Sequence, residues 1–552
     1  MPAVRLAMAQ INPRVGNFSG NRQLILQQAK KAAESGCSIV VFPELALSGY
    51  PIEDLALSPD FLTSAETALT LLAQDLAAGG LAELMVVLGH PSKANDPNSW
   101  AISHNSSSVI QGGKVKHTYH KQHLPNYSVF DEYRVFVPGN SISTFDLAGL
   151  RLATVICEDI WHEAGPVQQL KELAPDVVLV LNGSPFELSK EDSRVQYAKR
   201  LSKSVGSVVC YVNLVGGQDD LIFDGASFVL NSAGDALLRM KQFDLDLGVI
   251  EIDQSKQVTA VTDSSIIEEP IEQVWNALVL GLRDYVFKNC FSSVVLGLSG
   301  GIDSAVCAAI ASDAIGSANV FGISMPSKFS SVHSKVDAES LAANFGLNFS
   351  TQSIEPFFQA FESELKATGV AAENLQARIR GIILMTESNS HGHLVLSTGN
   401  KTEIAVGYST IYGDSVGGFA PLKDIEKTMV WELARYRNRL AVSRDETAPI
   451  PESSITKKPS AELRENQTDQ DSLPEYEVLD EILRRFIEER QSFSDIVAAG
   501  FDKAIVKQVL RLVAGAEWKR RQGVIGPRIT KLSFGRERRF PITNSFSEES
   551  ID

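Results

Sequence analysis

Six short apolar runs punctuate the first half of the chain: Val4–Ala9, Ile39–Phe42, Met85–Leu88, Leu152–Ile156, Val177–Leu181 and Val208–Val212. Each is short, rich in β-branched residues and apolar at successive positions, the pattern of a strand covered on both faces. Between them, Asn21–Ser35 and Ala65–Ala78 space their apolar residues as helices do. Two turns predict hairpins: Gly112-Gly113, and Ala233-Gly234-Asp235 between Ser227–Leu230 and Ala236–Met240. Parallel βα units mixed with hairpins point to layered sheets and helices rather than to a purely doubly wound sheet.

From Ile252 to Pro270 the chain turns polar and loses its periodicity. A linker is therefore expected over 256–269, between a domain at 1–255 and a second at 270–552. A new βα series follows, with strands at Val294–Leu298, Val320–Ser324, Phe349–Ile354 and Leu394–Ser397 and helical stretches such as Ser334–Phe345. Short buried strands with helical crossovers predict a parallel sheet. Residues 445–471 are polar and contain Pro449, Pro451 and Pro459, the character of a lid. Ser472-Leu473-Pro474-Glu475 reads as a capping box opening a helix whose apolar face is Leu479, Ile482, Leu483, Phe486 and Ile487.

Composition narrows the partners. Among 552 residues, 44% are hydrophobic and 21% charged, an ordinary globular balance. No apolar run approaches the roughly 20 residues of a membrane-spanning helix, and Met1–Gln10 lacks the features of a secretory signal. Five scattered cysteines without CxxC spacing (Cys37, Cys157, Cys210, Cys290, Cys307) suit a reducing, cytoplasmic setting. A net charge of −16 argues against nucleic acid as a partner.

Two buried strands end in reactive side chains. Ile39–Phe42 runs into Pro43-Glu44, and Leu152–Ile156 into Cys157-Glu158-Asp159. Strand carboxyl ends are where α/β folds place chemistry. A thiol needs a base to become a good nucleophile at neutral pH, and the oxyanion it creates needs a positive partner. Lys121, after the Gly112-Gly113 hairpin, offers that charge. Taken singly, such residues are more often a small buried apolar group or a solvated acid. His117, His120 and His123 have neither helical i, i+4 spacing nor cysteine partners, which argues against a metal there.

Together, FPELALSGY around Glu44, HKQHLPNYSVFDE around Lys121 and ICEDIW around Cys157 resemble the three signatures of the nitrilase superfamily, in its chain order. The resemblance implies an αββα sandwich with Glu44 as general base, Cys157 as nucleophile and Lys121 as electrostatic partner of the tetrahedral intermediate. Glutamine-hydrolysing members further imply substrate contacts at Tyr127, Ser184 and Lys190, with Glu132 orienting Lys121.

The second half offers a different chemistry. Val294–Leu298 leads into Ser299-Gly300-Gly301-Ile302-Asp303-Ser304 and then a helical stretch at Ala305–Ile315. Glycines between strand and helix let backbone N–H groups approach an anion, and the helix N-terminus favours negative charge. The loop lacks the Walker lysine. It also satisfies GxSxG, the nucleophile elbow of α/β-hydrolases, but no HGGG-like loop precedes it and only His333, His391 and His393 lie downstream.

SGGIDS resembles the loop of the ATP pyrophosphatases, which implies that Gly297, Leu298, Ser299, Gly300, Gly301, Ile302, Asp303 and Ser304 bind ATP, with Asp303 a Mg²⁺ ligand. With ENLQARIRG, STGNKTE, YGDSVGGFAPLKD and PSAELRENQTDQDSLPEY, the second half resembles the glutamine-dependent NAD⁺ synthetases. That resemblance implies a Rossmann-like ATP-pyrophosphatase sheet, Thr398 on ATP, and Asn374, Glu403 and Lys531 on deamido-NAD⁺. It also implies Mg²⁺ on Asp303 and Glu403, an ammonia tunnel and a homo-oligomer. The family's prolines are replaced by Glu465-Asn466 and Glu475 here. Residues 518–540 carry eight basic side chains against one acid, a candidate phosphate footprint.

The expected activity is ATP-dependent amidation of deamido-NAD⁺ with ammonia from glutamine. The alternatives are another amidotransferase of the ATP-pyrophosphatase type, a non-catalytic nucleotide sensor, or an amidase fused to a hydrolase. No nucleic-acid or membrane partner is expected.

Overall fold

The computed structural model describes residues 3–96, 98–188, 190–253 and 255–544. They form two compact units: Met1–Gln218 with Ile222–Glu268, and Glu269–Asp552 with Asp219–Leu221.

The first unit begins with β1 (Val4–Gln10), α1 (Phe18–Glu34), β2 (Ile39–Val41), α2 (Pro59–Ala78), β3 (Met85–Lys93), β4 (Ser103–Gln111) and β5 (Lys114–His120). A second sheet follows: β6 (Thr144–Leu147), β7 (Leu150–Ile156), α3 (Pro166–Leu173), β8 (Val177–Asn182), α4 (Lys190–Val205) and β9 (Val208–Asn213). The pair β10 (Val215–Gln218) and β11 (Leu221–Asp224) precedes β12 (Phe228–Leu230) and β13 (Ala236–Arg239), which complete that sheet. The chain then returns to the first sheet with β14 (Asp246–Ile252) and β15 (Val258–Ala260). Sheet orders are β15-β14-β1-β2-β3-β4-β5 and β13-β12-β9-β8-β7-β6.

Strand alternation explains why the runs are apolar throughout. Leu6, Met8, Ile39, Val41, Met85 and Val87 face the core shared with the second sheet, where they meet Val155, Val178 and Val180. Their neighbours Ala7, Ala9, Val40, Val86 and Leu88 face the other way, onto Ile25 and Ala29 of α1 and Leu69 and Leu72 of α2. With α4 residues Val195, Ala198 and Leu201 packed against the second sheet, the layers are helix, sheet, sheet, helix. Asn17 caps α1 and Ser58 caps α2, whose first residue is Pro59.

Two boundaries differ from the sequence reading. The stretch assigned to the linker contains β15, which pairs antiparallel with β14 through Ile250↔Ala260 and Ile252↔Val258. Its polar alternation suits a strand at the sheet edge, which is why apolar periodicity did not mark it. The helix expected to open at the Ser472 capping box starts at Tyr476, with Glu475 in the cap position and no side-chain capping bond. The Ser472 N–H that such a box would use is already bonded to the Asp469 carbonyl, and Pro474 disfavours the helical conformation at Leu473.

In the second unit, α5 (Pro270–Lys288) precedes β16 (Val294–Gly297), α6 (Ile302–Ile315), β17 (Val320–Ser324), α7 (Val332–Phe345) and β18 (Asn348–Thr351). Then come α8 (Glu355–Leu365), α9 (Val370–His391), β19 (Leu394–Val395), α10 (Lys401–Val406) and α11 (Lys427–Ser443). The four strands are parallel in the order β18-β17-β16-β19. The order reverses beside β16, so the loop after it opens at a topological switch point. The chain continues through α12 (Glu452–Thr456), α13 (Tyr476–Ile487), α14 (Phe493–Ala498) and α15 (Lys503–Gly515). Leu479, Ile482 and Leu483 of α13 pack with Val506, Val509 and Leu510 of α15 in a core of their own.

Candidate active sites

In the first unit the ends of β2, β5 and β7 bring Glu44, Lys121 and Cys157 together, each with 5% exposure or less. Lys121 Nζ donates to Glu44 Oε1 at 2.8 Å and lies 2.8 Å from Glu132 Oε2. Asn105 Nδ2 donates to the same Glu44 oxygen at 2.7 Å, and the Gly183 N–H to Glu44 Oε2 at 2.7 Å. Tyr50 donates to Glu132 Oε1 at 3.1 Å. Glu44 reaches this position because β3 carries Gly89: a Cβ there would lie 2.2 Å from the Leu45 nitrogen.

The cluster sets two carboxylates against one ammonium in a sealed space. Burial alone disfavours the Lys121 ammonium, but Glu132 and Glu44 outweigh it and hold it charged well above its ordinary range. Burial pushes the Glu132 carboxyl up to about 7, Lys121 opposing and Glu44 adding to the shift. Burial and then Glu44 push the Cys157 thiol well above its usual value, with Lys121 pulling the other way. At rest this is a neutral thiol beside a carboxylate able to take its proton and an ammonium able to face an oxyanion.

The expected glutamine contacts fall in two places. Tyr127 donates to Glu158 Oε2 at 2.9 Å and sets its ring edge-on to Phe130, with centroids 5.8 Å apart. Lys190 Nζ lies 5.8 Å from the same Phe130 ring centre. Ser184 is buried on the turn that also supplies the Gly183 N–H. Arg194 grips this turn: Nε donates to Ser184 Oγ at 3.0 Å, and Nη2 donates to the Ser184 and Pro185 carbonyls at 2.9 and 2.8 Å. Asp224 holds the Arg194 guanidinium in turn, accepting at 2.7 and 2.9 Å.

In the second unit a cavity of about 830 Å³ opens at the loop after β16. Gly297, Leu298, Ser299, Gly301, Ile302, Asp303 and Ser304 line it, together with Thr398, Asn374 and Glu403. Gly300 has φ +77, and a Cβ on it would lie 2.2 Å from the Ser334 carbonyl oxygen, so glycine is required. Ser299 Oγ accepts from the Gly301 N–H at 3.1 Å, and Ser304 Oγ donates to the Gly301 carbonyl at 3.0 Å. No side chain caps the first turn of α6, which leaves a helix N-terminus facing the cavity as a ready anion site. No histidine lines the cavity among the described residues, and His393 is turned to Ser293 at 2.7 Å, so the hydrolase elbow has no base for Ser299.

Asp303 Oδ1 accepts from Asn400 Nδ2 at 2.9 Å, while its Oδ2 pairs with Lys427. Lys427 Nζ also lies 3.5 Å from Glu403 Oε1. Burial, then the Asp303 charge, push the Glu403 carboxyl up to about 8, opposed by Lys427. Asn374 Oδ1 accepts from Thr410 Oγ1 at 2.7 Å.

The C-terminal basic run reaches this cavity only in part. Lys531 is exposed and is not among the cavity-lining residues. Lys519 and Arg520 of the basic run line the cavity, with their charged ends held by backbone carbonyls. Lys519 Nζ donates to the Gly407 and Ser409 carbonyls at 2.7 and 2.8 Å, Arg520 Nη1 to the Ala405 carbonyl at 2.7 Å, and Arg528 Nε lies 2.5 Å from Glu537 Oε1. Arg380, Lys335 and Lys457 bring positive charge to the cavity from other elements. Burial pushes the Arg380 guanidinium down to about 10, with Glu462 and Asp414 opposing. The sequence reading missed Asn105, Gly183, Asn400 and Lys427. Asn400, inside STGNKTE, and Gly183, beside Ser184 in NGSPFE, lie in motifs that could have marked them.

Comparison with known proteins follows the same division. Residues 5–260 match the carbon-nitrogen hydrolase family model, and residues 274–523 match that of NAD synthase. The glutamine-dependent NAD(+) synthetase of Acinetobacter baylyi is 45% identical over 552 residues, covering 99% of both chains. That of Aquifex aeolicus is 41% identical, covering 98% of this chain and 100% of its own. The solved Acinetobacter baumannii glutamine-dependent NAD+ synthetase, in complex with ADP, matches with a TM-score of 0.77 and 43% identity over 99% of each chain. The Cytophaga hutchinsonii enzyme shares the fold, with a TM-score of 0.81 at 22% identity over 98% of each chain.

Proposed function

The chain belongs to the glutamine-dependent NAD⁺ synthetases, and from that premise we propose how its side chains divide the work. The protein is a ligase: it amidates deamido-NAD⁺ to NAD⁺ with ammonia from glutamine, consuming ATP and releasing AMP, pyrophosphate and glutamate.

In the first unit, Glu44 takes the Cys157 proton as the sulfur attacks the side-chain amide of glutamine. Lys121 faces the oxyanion of the tetrahedral intermediate. Glu44 returns the proton to the departing ammonia, and water then cleaves the thioester to glutamate. Tyr127, Ser184 and Lys190 hold the substrate. The observation that carries this reading is the buried Lys121–Glu44 contact at 2.8 Å beside Cys157.

In the second unit, the loop Gly297–Ser304 and Thr398 hold ATP, while Asn374, Glu403 and Lys531 hold deamido-NAD⁺. The nicotinate carboxylate attacks the α-phosphorus, pyrophosphate leaves, and ammonia displaces AMP from the acyl adenylate. Asp303 and Glu403 fit a magnesium ion: the two carboxylates flank one cation, Lys427, the Asp303 charge raises the proton affinity of Glu403, and magnesium favours one or two carboxylates plus phosphate oxygens. Among the described residues no group of three or more His, Cys, Asp or Glu could hold a metal. When bound, Mg²⁺ would neutralise phosphate charge and polarise the reacting phosphoryl group.

The same proposal includes a homo-oligomer, a cytoplasmic location and no nucleic-acid or membrane partner. The net charge of −16 supports the exclusion of nucleic acid. No described helix is long and apolar enough to cross a membrane. The test is to combine protein, Mg·ATP, glutamine and deamido-NAD⁺ and assay for AMP and NAD⁺. Formation of ADP, or no nucleotide turnover, would overturn the reading.

A further inference from the structure

Cys157 has φ +43, a left-handed conformation that a residue with a side chain holds only when its surroundings fix it. The group that fixes this turn is Asp159, whose side chain is fully buried. Its Oδ2 accepts from the Ile156 N–H at 2.9 Å and from the Tyr119 hydroxyl at 2.7 Å. Its Oδ1 accepts from the N–H groups of Gln122 and His123 at 3.1 and 2.9 Å. One donor thus comes from the residue preceding the nucleophile. The other three come from the end of β5 and its exit, on both sides of Lys121.

We infer that Asp159 is a positioning residue that sets Cys157 against Lys121 by tying the nucleophile turn to the segment carrying the ammonium. The inference rests on the proposed roles of Cys157 and Lys121. Lys121 is also anchored from its other side, where its N–H donates to the Asn105 carbonyl and its own carbonyl accepts from Gly139. Asp159 therefore supplies the link that Lys121's own backbone bonds lack, the one to the cysteine turn. Only a carboxylate suits the position. It is acceptor-only and can serve four donors, whereas an amide would turn its NH₂ group towards two of them. Burial raises the proton affinity of Asp159, and the bonds from His123, Ile156 and Tyr119 oppose that rise.

The test compares Asp159→Asn, Tyr119→Phe and Cys157→Ala in the full-length protein. For each, kcat and KM for glutamine hydrolysis are measured, with ammonia-dependent synthesis as the folding control. Asp159→Asn should lower kcat by about a hundredfold, the effect of displacing a reacting group by about 1 Å. KM for glutamine should stay within about twofold, since the proposed substrate contacts lie elsewhere. Tyr119→Phe removes one donor and should lower kcat less, again without moving KM. Ammonia-dependent synthesis should persist in both. A purely structural role would instead lower thermal stability while leaving kcat of the folded protein unchanged, and that result would overturn the inference. If Asp159→Asn does not fold, Tyr119→Phe decides, and an unchanged kcat overturns the inference equally. If Cys157→Ala still hydrolyses glutamine, the proposed nucleophile is wrong; if it is inactive while Asp159→Asn is normal, only the positioning role fails.

Discussion

Lys427, on α11, closes its ammonium on Asp303, in the first turn of α6, 124 residues away in sequence. One cation therefore already stands among the carboxylates proposed for magnesium, reaching Glu403 at 3.5 Å as well. Asp303→Asn keeps the size but removes the charge. Synthesis with either glutamine or ammonia should fall by about one to two decades, the loss of a charged interaction. Glutamine hydrolysis should remain. A Mg²⁺ titration of both synthetic activities checks this, and an unchanged metal dependence would exclude Asp303.

Cys157→Ala should abolish glutamine-dependent synthesis and leave ammonia-dependent synthesis intact, because only the first site needs a thiolate. A covalent glutamine analogue should label Cys157 and spare Cys37, Cys210 and Cys307, which are buried, and Cys290, which is exposed. Peptide mapping after labelling reads the outcome. Loss of both synthetic activities in a folded variant would mean that the work is divided differently.

Ser299→Ala should weaken ATP use by about one to two decades, since the hydroxyl is one contact in a loop whose backbone donors do most of the anion binding. No histidine lines the cavity among the described residues, so a serine-directed phosphonate should not modify the protein. Mass spectrometry after phosphonate treatment, together with KM for ATP, separates a phosphate ligand from an acyl nucleophile.

Glu132 predicts a pH dependence of stability. Its carboxyl is pushed up to about 7 by burial, above the ordinary carboxylate value, so the native state binds the proton more tightly than the unfolded chain. Stability should therefore decline as pH rises from the ordinary carboxylate range through about 7. Glu132→Gln should flatten that slope. Denaturant unfolding of both proteins across this range, compared pH by pH, isolates the contribution.

The legible parts of the first site were those written into local pattern. Glu44 and Cys157 end β-branched runs, and Lys121 follows a glycine hairpin. Asn105 was invisible because β4 reads as polar, yet its serines are buried and bond to neighbouring strands: Ser106 meets His120 at 2.7 Å, Ser107 meets Thr154 at 3.0 Å, and Ser108 meets His90 at 2.7 Å. Lys427 lay out of reach for a different reason. It sits at the start of α11 with no motif around it, and only the parallel sheet carries it to Asp303.

The pairing of β1 with β14 sets a clock for biosynthesis. Val4 lies opposite Ile252 and Gln10 opposite Asp246, so the first strand made waits for one of the last strands of its unit. At about 5–20 residues per second, the ribosome takes roughly 12–50 seconds to travel between them. During that interval β1 can join β2, but its other edge stays open to any passing strand. A shortened chain that stops before Asp246 never acquires its partner, however intact its catalytic residues.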